Sequence, residues 1–183
     1  MRLIVILLTL FPNLALAQKT AQIDGDFTGD GRADRAVLTQ TATGDQADLL
    51  LYIRQPDDSL FLQATAIKLA WVGGMAGQKP QLEISPHGSL LVHIMNTTIG
   101  RDRWHETLTI AWRNDRFMLA GYSHRWFDTI DDQNNRTCHV NLLSGKGMRT
   151  RGTFLREIAF MTETRSAPIS EWDHEPPKEC TPN

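Results

Sequence analysis

RWHETLTIAWRNDRFMLAGYSHRW, residues 103–126, is the stretch that decides the fold. Arg103 to Trp112 and Phe117 to Trp126 are two runs rich in aromatic and β-branched residues, the composition of strands. Asn114-Asp115 lies between them, and both residues tolerate positive φ, so the spacing predicts a two-residue primed turn and an antiparallel hairpin. With that loop, Trp112 pairs with Phe117, Ile110 with Leu119 and Leu108 with Gly121.

Working outward, Ser89 to Met95 supplies the next strand. A loop centred on Ile99 pairs Ile94 with Trp104 and Leu90 with Leu108. One face then holds Leu90, Val92, Ile94, Trp104, Leu108, Ile110, Trp112, Phe117 and Leu119, which is a core face. Glu106 intrudes on it, either where the sheet edge meets water or as a buried acid with a partner such as Arg125. The same register sets His93 opposite His105 and His105 opposite His124. Three adjacent imidazoles are a candidate site for zinc or another borderline metal. The plain alternative is three polar residues on a mixed face with Thr107, Thr109 and Tyr122.

Further strands are expected at Ala36-Val37-Leu38, at Leu49 to Arg54 and Leu60 to Leu69 around the turn Gln55 to Ser59, and at Gln81 to Ser85 before Pro86-His87-Gly88. Gly73 to Gly77 is a glycine-rich loop. Thr137 to Leu143 and Phe154 to Thr162 read as later strands, the second also fitting a helical stripe. Closely spaced strand-turn-strand units predict an all-β fold, an antiparallel meander forming a sandwich, an open barrel or a partial propeller-like sheet.

Residues 24–34, DGDFTGDGRAD, carry chemistry in their spacing. Counted from Asp26, oxygen-bearing side chains fall at the first, third, fifth and ninth positions: Asp26, Thr28, Asp30 and Asp34. Gly31 permits a sharp turn, and Arg32 offers a backbone carbonyl. This is the front half of the ligand order of a calcium loop. No Glu stands at the twelfth position, where Val37 sits, so the segment is not an EF-hand. With the apolar Ala36-Val37-Leu38 after it, the stretch 24–39 resembles the FG-GAP or VCBS type of calcium loop found in integrin-like propellers. The unit occurs once here, whereas such domains repeat it. Leu50 to Ser59, Gly73-Gly74-Met75, Trp104 to Gly121 and Asn141 to Lys146 are similar to a group of exported proteobacterial proteins of unknown function that join one such loop to a β-meander. The resemblance implies a structural calcium ion at the loop and carries no activity.

Arg2, the apolar run Leu3 to Phe11 and Ala15-Leu16-Ala17 have the layout of a secretory signal over residues 1–17. Nine apolar residues are too few to anchor the chain in a membrane. Export to a bacterial periplasm or the extracellular medium follows. The chain has 19 Lys and Arg against 21 Asp and Glu, a balance that argues against binding nucleic acid. Cys138 and Cys180 are the two cysteines of an exported chain and predict one disulfide. It closes a loop of about 43 residues and contributes at most about 4 kcal/mol. The expected organisation is a signal peptide (1–17), one all-β domain (18–165) and a Pro-rich tail (166–183) tied down by the disulfide.

No nucleophile elbow, P-loop, metalloprotease or dinucleotide motif is present. Asp128, Asp131 and Asp132 form an acidic loop, Asp173-His174-Glu175 a second polar cluster, and Trp126 and Trp172 are candidates for lining a sugar or partner surface. The reading is an exported, non-catalytic binding or interaction module engaging a protein or glycan of the cell envelope, for instance as an inhibitor or immunity partner of a cell-wall enzyme. The alternatives are a small hydrolase of envelope glycans, using the acids at 128–132 or the histidine row, and a structural envelope component.

Overall fold

The computed structural model describes residues 18–40, 44–152 and 156–181. Residues 1–17, for which a signal peptide is expected, lie outside them, as do Phe154 and Leu155. Within the described residues the chain is all-β and antiparallel, and consecutive strands pair except at the one step from the first sheet to the second. The first sheet holds β1 (Gln18–Gly25), β2 (Asp34–Gln40), β3 (Gln46–Arg54) and β4 (Leu60–Trp71) in that order. The second runs β5 (Gln81–Ile84), β6 (Leu90–Asn96), β7 (Asp102–Arg113), β8 (Arg116–Asp128), β9 (Arg136–Asn141), β10 (Lys146–Arg151) and β11 (Ile158–Met161). The architecture is therefore a meander split into two sheets, neither closed into a barrel.

Alternation places the core. Leu38, Leu49 and Leu51 of the first sheet and Leu90, Val92, Leu108 and Ile110 of the second are fully or almost fully buried in one cluster. Each such side chain contributes about 1.5–3 kcal/mol on burial. Two strands were not anticipated. β1 and β10 read as QKTAQIDG and KGMRTR, too polar to announce themselves. β1 is a sheet edge, where charge and polarity are tolerated. β10 is joined on both sides through its backbone, and Gly147 leaves room for the Phe160 ring.

The tail is part of the fold. The Leu119 amide donates to the Ala167 carbonyl at 2.8 Å, Met118 bridges to Pro168, and Ile169 is buried in the core. The Cys138–Cys180 disulfide is formed, with both residues buried and Cα atoms 5.4 Å apart.

The hairpin at Asn114-Asp115 has the expected primed geometry, with φ of 51° and 58°, and Trp112 and Ile110 pair with Phe117 and Leu119 as read. Beyond that point the register departs. Thr109 pairs with Gly121 while Ile110 pairs with Leu119, so Ala120 is an extra residue on β8. A bulge of this kind reverses the facing of all that follows on its strand. Leu108 meets Tyr122 instead of Gly121, and Tyr122, His124 and Trp126 turn toward the interior. On the other side, Ile94 pairs with Glu106 and Leu90 with Ile110, a shift of two that keeps the core face intact. The histidine row does not form. His93 pairs with Thr107 and shares the outer face with His105, with ring centroids 5.2 Å apart, whereas His124 sits opposite Glu106 on the inner face.

The disulfide prediction is quantitative. Replacing both cysteines by serine lowers the unfolding free energy by about 2–4 kcal/mol in urea denaturation; an unchanged midpoint and slope contradict it.

Candidate functional site

Two places draw the chemistry-bearing residues of this chain together: the Asp/Gly loop and a groove between the sheets.

In the loop the three aspartates serve different partners. Asp26 caps the turn, accepting from the amides of Gly29 and Asp30 at one oxygen (2.7 and 3.1 Å) and of Gly31 at the other (2.8 Å). Burial raises its pKa, but the three amides outweigh that and hold the carboxyl below its ordinary value. Gly31 makes the bend with φ of 85°. Asp30 accepts from the Arg32 amide and pairs with the Arg32 guanidinium at 2.5 Å. Asp34 is turned inward and is fully buried. It accepts from the amides of Phe27 and Thr28 and, across the sheet, of Arg54, each at 3.0 Å. Arg54 in turn donates to the carbonyls of Ala33 and Asp58. The loop thereby clamps the entry of β2 to the β3–β4 turn. Among the described residues no group of three or more His, Cys, Asp or Glu side chains stands together as a metal-ligand set. The Thr28 hydroxyl stands beside the Asp26 carboxylate and helps to hold its pKa down.

The groove is built from residues distant in sequence. Trp71 from the end of β4, Trp104 from β7, Trp126 from β8 and Trp172 from the tail line a depression of about 610 Å³. This lies within the range of about 300–1,000 Å³ typical of small-molecule sites. Each indole is only partly buried. Trp71 and Trp104 stand 5.9 Å apart between ring centroids. The rim carries Lys68 and His174, with φ of 55° and 67°. Outside the tight turns these are the non-glycine residues in the left-handed region among those described. Such strain is retained where surrounding structure enforces it, and it concentrates at functional sites. At Lys68 the strain comes with a bulge between the Ala47 and Leu49 pairings of β3 and β4, and the Asp48 carboxylate accepts from the Lys68 amide at 2.7 Å.

Beneath the indoles lies a hydrogen-bonded relay. Tyr122 Oη donates to Glu106 Oε2 at 2.8 Å, so its oxygen is left to accept from His124 Nδ1 at 3.1 Å. That arrangement puts the proton of neutral His124 on Nδ1 and leaves Nε2 bare; Nε2 is buried without a partner. The His124 ring stacks on Trp126 at 3.6 Å and meets the edge of Trp104. Burial, with a smaller push from His105, lowers the His124 pKa to about 4. Burial raises the Glu106 pKa, partly offset by the Tyr122 hydrogen bond. Burial and the neighbouring Glu106 also push up the Tyr122 phenol. Glu106 is thus the buried acid of the two options the sequence left open, but its partner is Tyr122; Arg125 points from the outer face and lies over Phe127.

The other candidates are locally satisfied. Asp128 accepts from Arg101, the amides of Ile130 and Asp131, and Asn134. The Arg101 guanidinium holds its pKa far below the ordinary carboxylate value. Asp131 accepts from the Gln133 amide and so starts the 3₁₀ turn Asp132–Asn134. His93 is held between Thr107 and Glu83 at 3.0 Å each. The glycine-rich loop wraps the buried Gln78, and a Cβ at Gly73 would lie 2.5 Å from Gln78 Oε1. No family model, curated protein or solved structure matches this chain.

Two measurements follow. Asp34→Ala orphans three amides and lowers stability by about 3 kcal/mol or more, read by urea denaturation; a loss below 1 kcal/mol contradicts the clamp. For His124, the unfolded chain takes up a proton near 6.5 and the folded chain near 4. Its contribution is whole above the higher value and is lost as the pH falls between the two, up to about 3 kcal/mol. Stability of the wild type relative to His124→Gln therefore declines from pH 7 to pH 4; parallel profiles contradict it.

Proposed function

We propose that this is an exported, non-catalytic binding protein of the cell envelope, and that its tryptophan groove takes a short stretch of glycan. The observation that carries this reading is the convergence of four of the five tryptophans on one depression. Flat indoles offer large apolar area at fixed orientation, and the C–H faces of a pyranose ring are apolar. Gln46, Lys68 and His174 stand around the same depression as hydrogen-bonding groups for hydroxyls. An envelope protein presenting aromatic side chains is the second class of partner. The glycan is favoured because the strained rim residues are polar.

Binding is favoured over glycan hydrolysis on the composition of the groove. Glycoside cleavage uses two carboxyl groups about 5–9.5 Å apart. Glu106 is the single carboxylic acid lining this groove, and it is tied to Tyr122.

Export is supported by the layout of the first 17 residues and by the disulfide. Among the described residues no helix is long and apolar enough to cross a membrane. Calcium at the Asp26–Asp34 loop belongs to the same proposal, as a structural ion. What supports it is the ligand-like spacing of the oxygen-bearing side chains. The oxygens of Thr28, Asp26 and Asp30 and the Arg32 carbonyl are the groups that would hold it, with Asp34 anchoring the loop from behind.

Titration with cellotriose tests the groove. Intrinsic fluorescence changes saturably, and Trp172→Ala weakens binding about tenfold or more, the value expected for one stacked aromatic contact. A fluorescence signal indifferent to cellotriose overturns the reading. For the loop, millimolar calcium raises the melting temperature of the wild type, and Asp30→Ala abolishes the rise. A melting curve insensitive to both calcium and chelator removes the ion.

A further inference from the structure

Trp126 has a second pocket behind it. Its indole borders the groove on one side and, on the other, a depression of about 240 Å³ beside the Cys138–Cys180 disulfide. Three arginines line that depression: Arg136, Arg149 and Arg151. The register explains how they meet. Arg136 pairs with Arg151 across β9 and β10, Arg149 is two residues earlier on β10 and pairs with Cys138, and Trp126 pairs with Arg136 from β8. All four side chains therefore share one face of the sheet.

This is an unfavourable arrangement for an empty site. Like charges directly opposite one another on a sheet repel. None of the three guanidiniums makes an ion pair among the described residues, although the chain as a whole carries a net charge of −2. Arg149 reaches only the Glu179 carbonyl, at 3.5 Å. Arg136 is half-buried with its guanidinium over the Trp126 ring, 5.9 Å from the centroid, and its Nε is buried with no hydrogen-bond partner. Glu179 is the one acid at the pocket, and its Oε2 is likewise buried without a partner. One carboxylate against three guanidiniums leaves an excess of positive charge, together with an unpaired donor and an unpaired acceptor.

We propose that this pocket is an anion subsite, and that the ligand of the groove is an acidic glycan whose carboxylate or phosphate substituent reaches past Trp126 to the three arginines. The proposal rests on the glycan reading of the groove and deepens it. A guanidinium is suited to a carboxylate or phosphate because its parallel N–H groups match the spacing of two oxygens. Arg136 Nε supplies a donor already desolvated, and Glu179 Oε2 accepts from a hydroxyl next to the acidic group. The Trp126 indole, with His124 stacked on it and the Arg136 guanidinium over the ring, stands between the two pockets, and the substituent passes its edge.

Two trisaccharides with the same β-1,4-linked backbone test this: cellotriose, which is neutral, and its uronic counterpart, in which each C6 is a carboxylate. Binding is followed by calorimetry for the wild type and for the double variant Arg149→Gln, Arg151→Gln, whose exposed positions and relieved repulsion favour folding. The wild type binds the uronate about tenfold or more tightly than cellotriose, and the preference shrinks as salt is raised. In the double variant the preference falls to twofold or less. Equal affinity of the wild type for both sugars overturns the anion subsite and leaves the groove reading standing, as does an undiminished preference in the double variant. Binding of neither sugar overturns the groove reading and the acidic glycan with it. If in that case inorganic phosphate raises the melting temperature of the wild type and not of the double variant, the anion pocket alone survives.

Discussion

Ala120 has no partner across the ladder between β7 and β8. One unpaired residue reverses the alternation of a strand, and the inner face of this protein depends on that reversal. Without it, the second half of β8 sends Gly121, Ser123 and Arg125 inward and leaves Tyr122, His124 and Trp126 in water. With it, Tyr122 is buried against Glu106, His124 stacks on Trp126, and Trp126 forms the wall between the aromatic groove and the arginine pocket. The bulge is held from outside its own hairpin. The Leu142 amide donates to the Ala120 carbonyl at 2.9 Å, and the Leu119 amide donates to Ala167 in the tail.

The tail has the same logic. Ile169 fills the core and Cys180 is bonded to Cys138, so the segment between them must run along the mouth of the groove. That path brings Trp172 and His174 to the same groove as Trp71 and Lys68. The disulfide therefore does more than restrict the unfolded chain. It fixes one wall of the groove and, through Glu179, one side of the arginine pocket.

Local signals carried the fold a long way. Asn114-Asp115 set one hairpin, the alternation in Leu90–Asn96 marked the core face, and the pair of cysteines gave the bridge. The Asp/Gly loop is legible as a sharp turn at Gly31, while the inward rotation of Asp34 is not, because its third donor is the Arg54 amide on another strand. The groove was legible only in part. Trp126 and Trp172 stand out in the sequence as lining a surface, but Trp104 reads as part of the core face. The histidine row failed for two reasons: the β6–β7 register is shifted by two, which sets His93 opposite Thr107, and an extra residue at Ala120 turns His124 inward without a mark in sequence, since an alanine between Leu119 and Gly121 fits a regular strand equally well. Glu106 was visible as an anomaly on an apolar face, and only the bulge reveals its partner.

The most direct test of this account is the protonation of His124, followed by nitrogen-15 NMR of its imidazole across pH. If the bulge turns β8 inward, the ring stays neutral, with its proton on Nδ1, and titrates near pH 4. A His124 that titrates near 6.5 with the proton exchanging freely between both nitrogens lies on the outer face, and the inner face described here is then wrong.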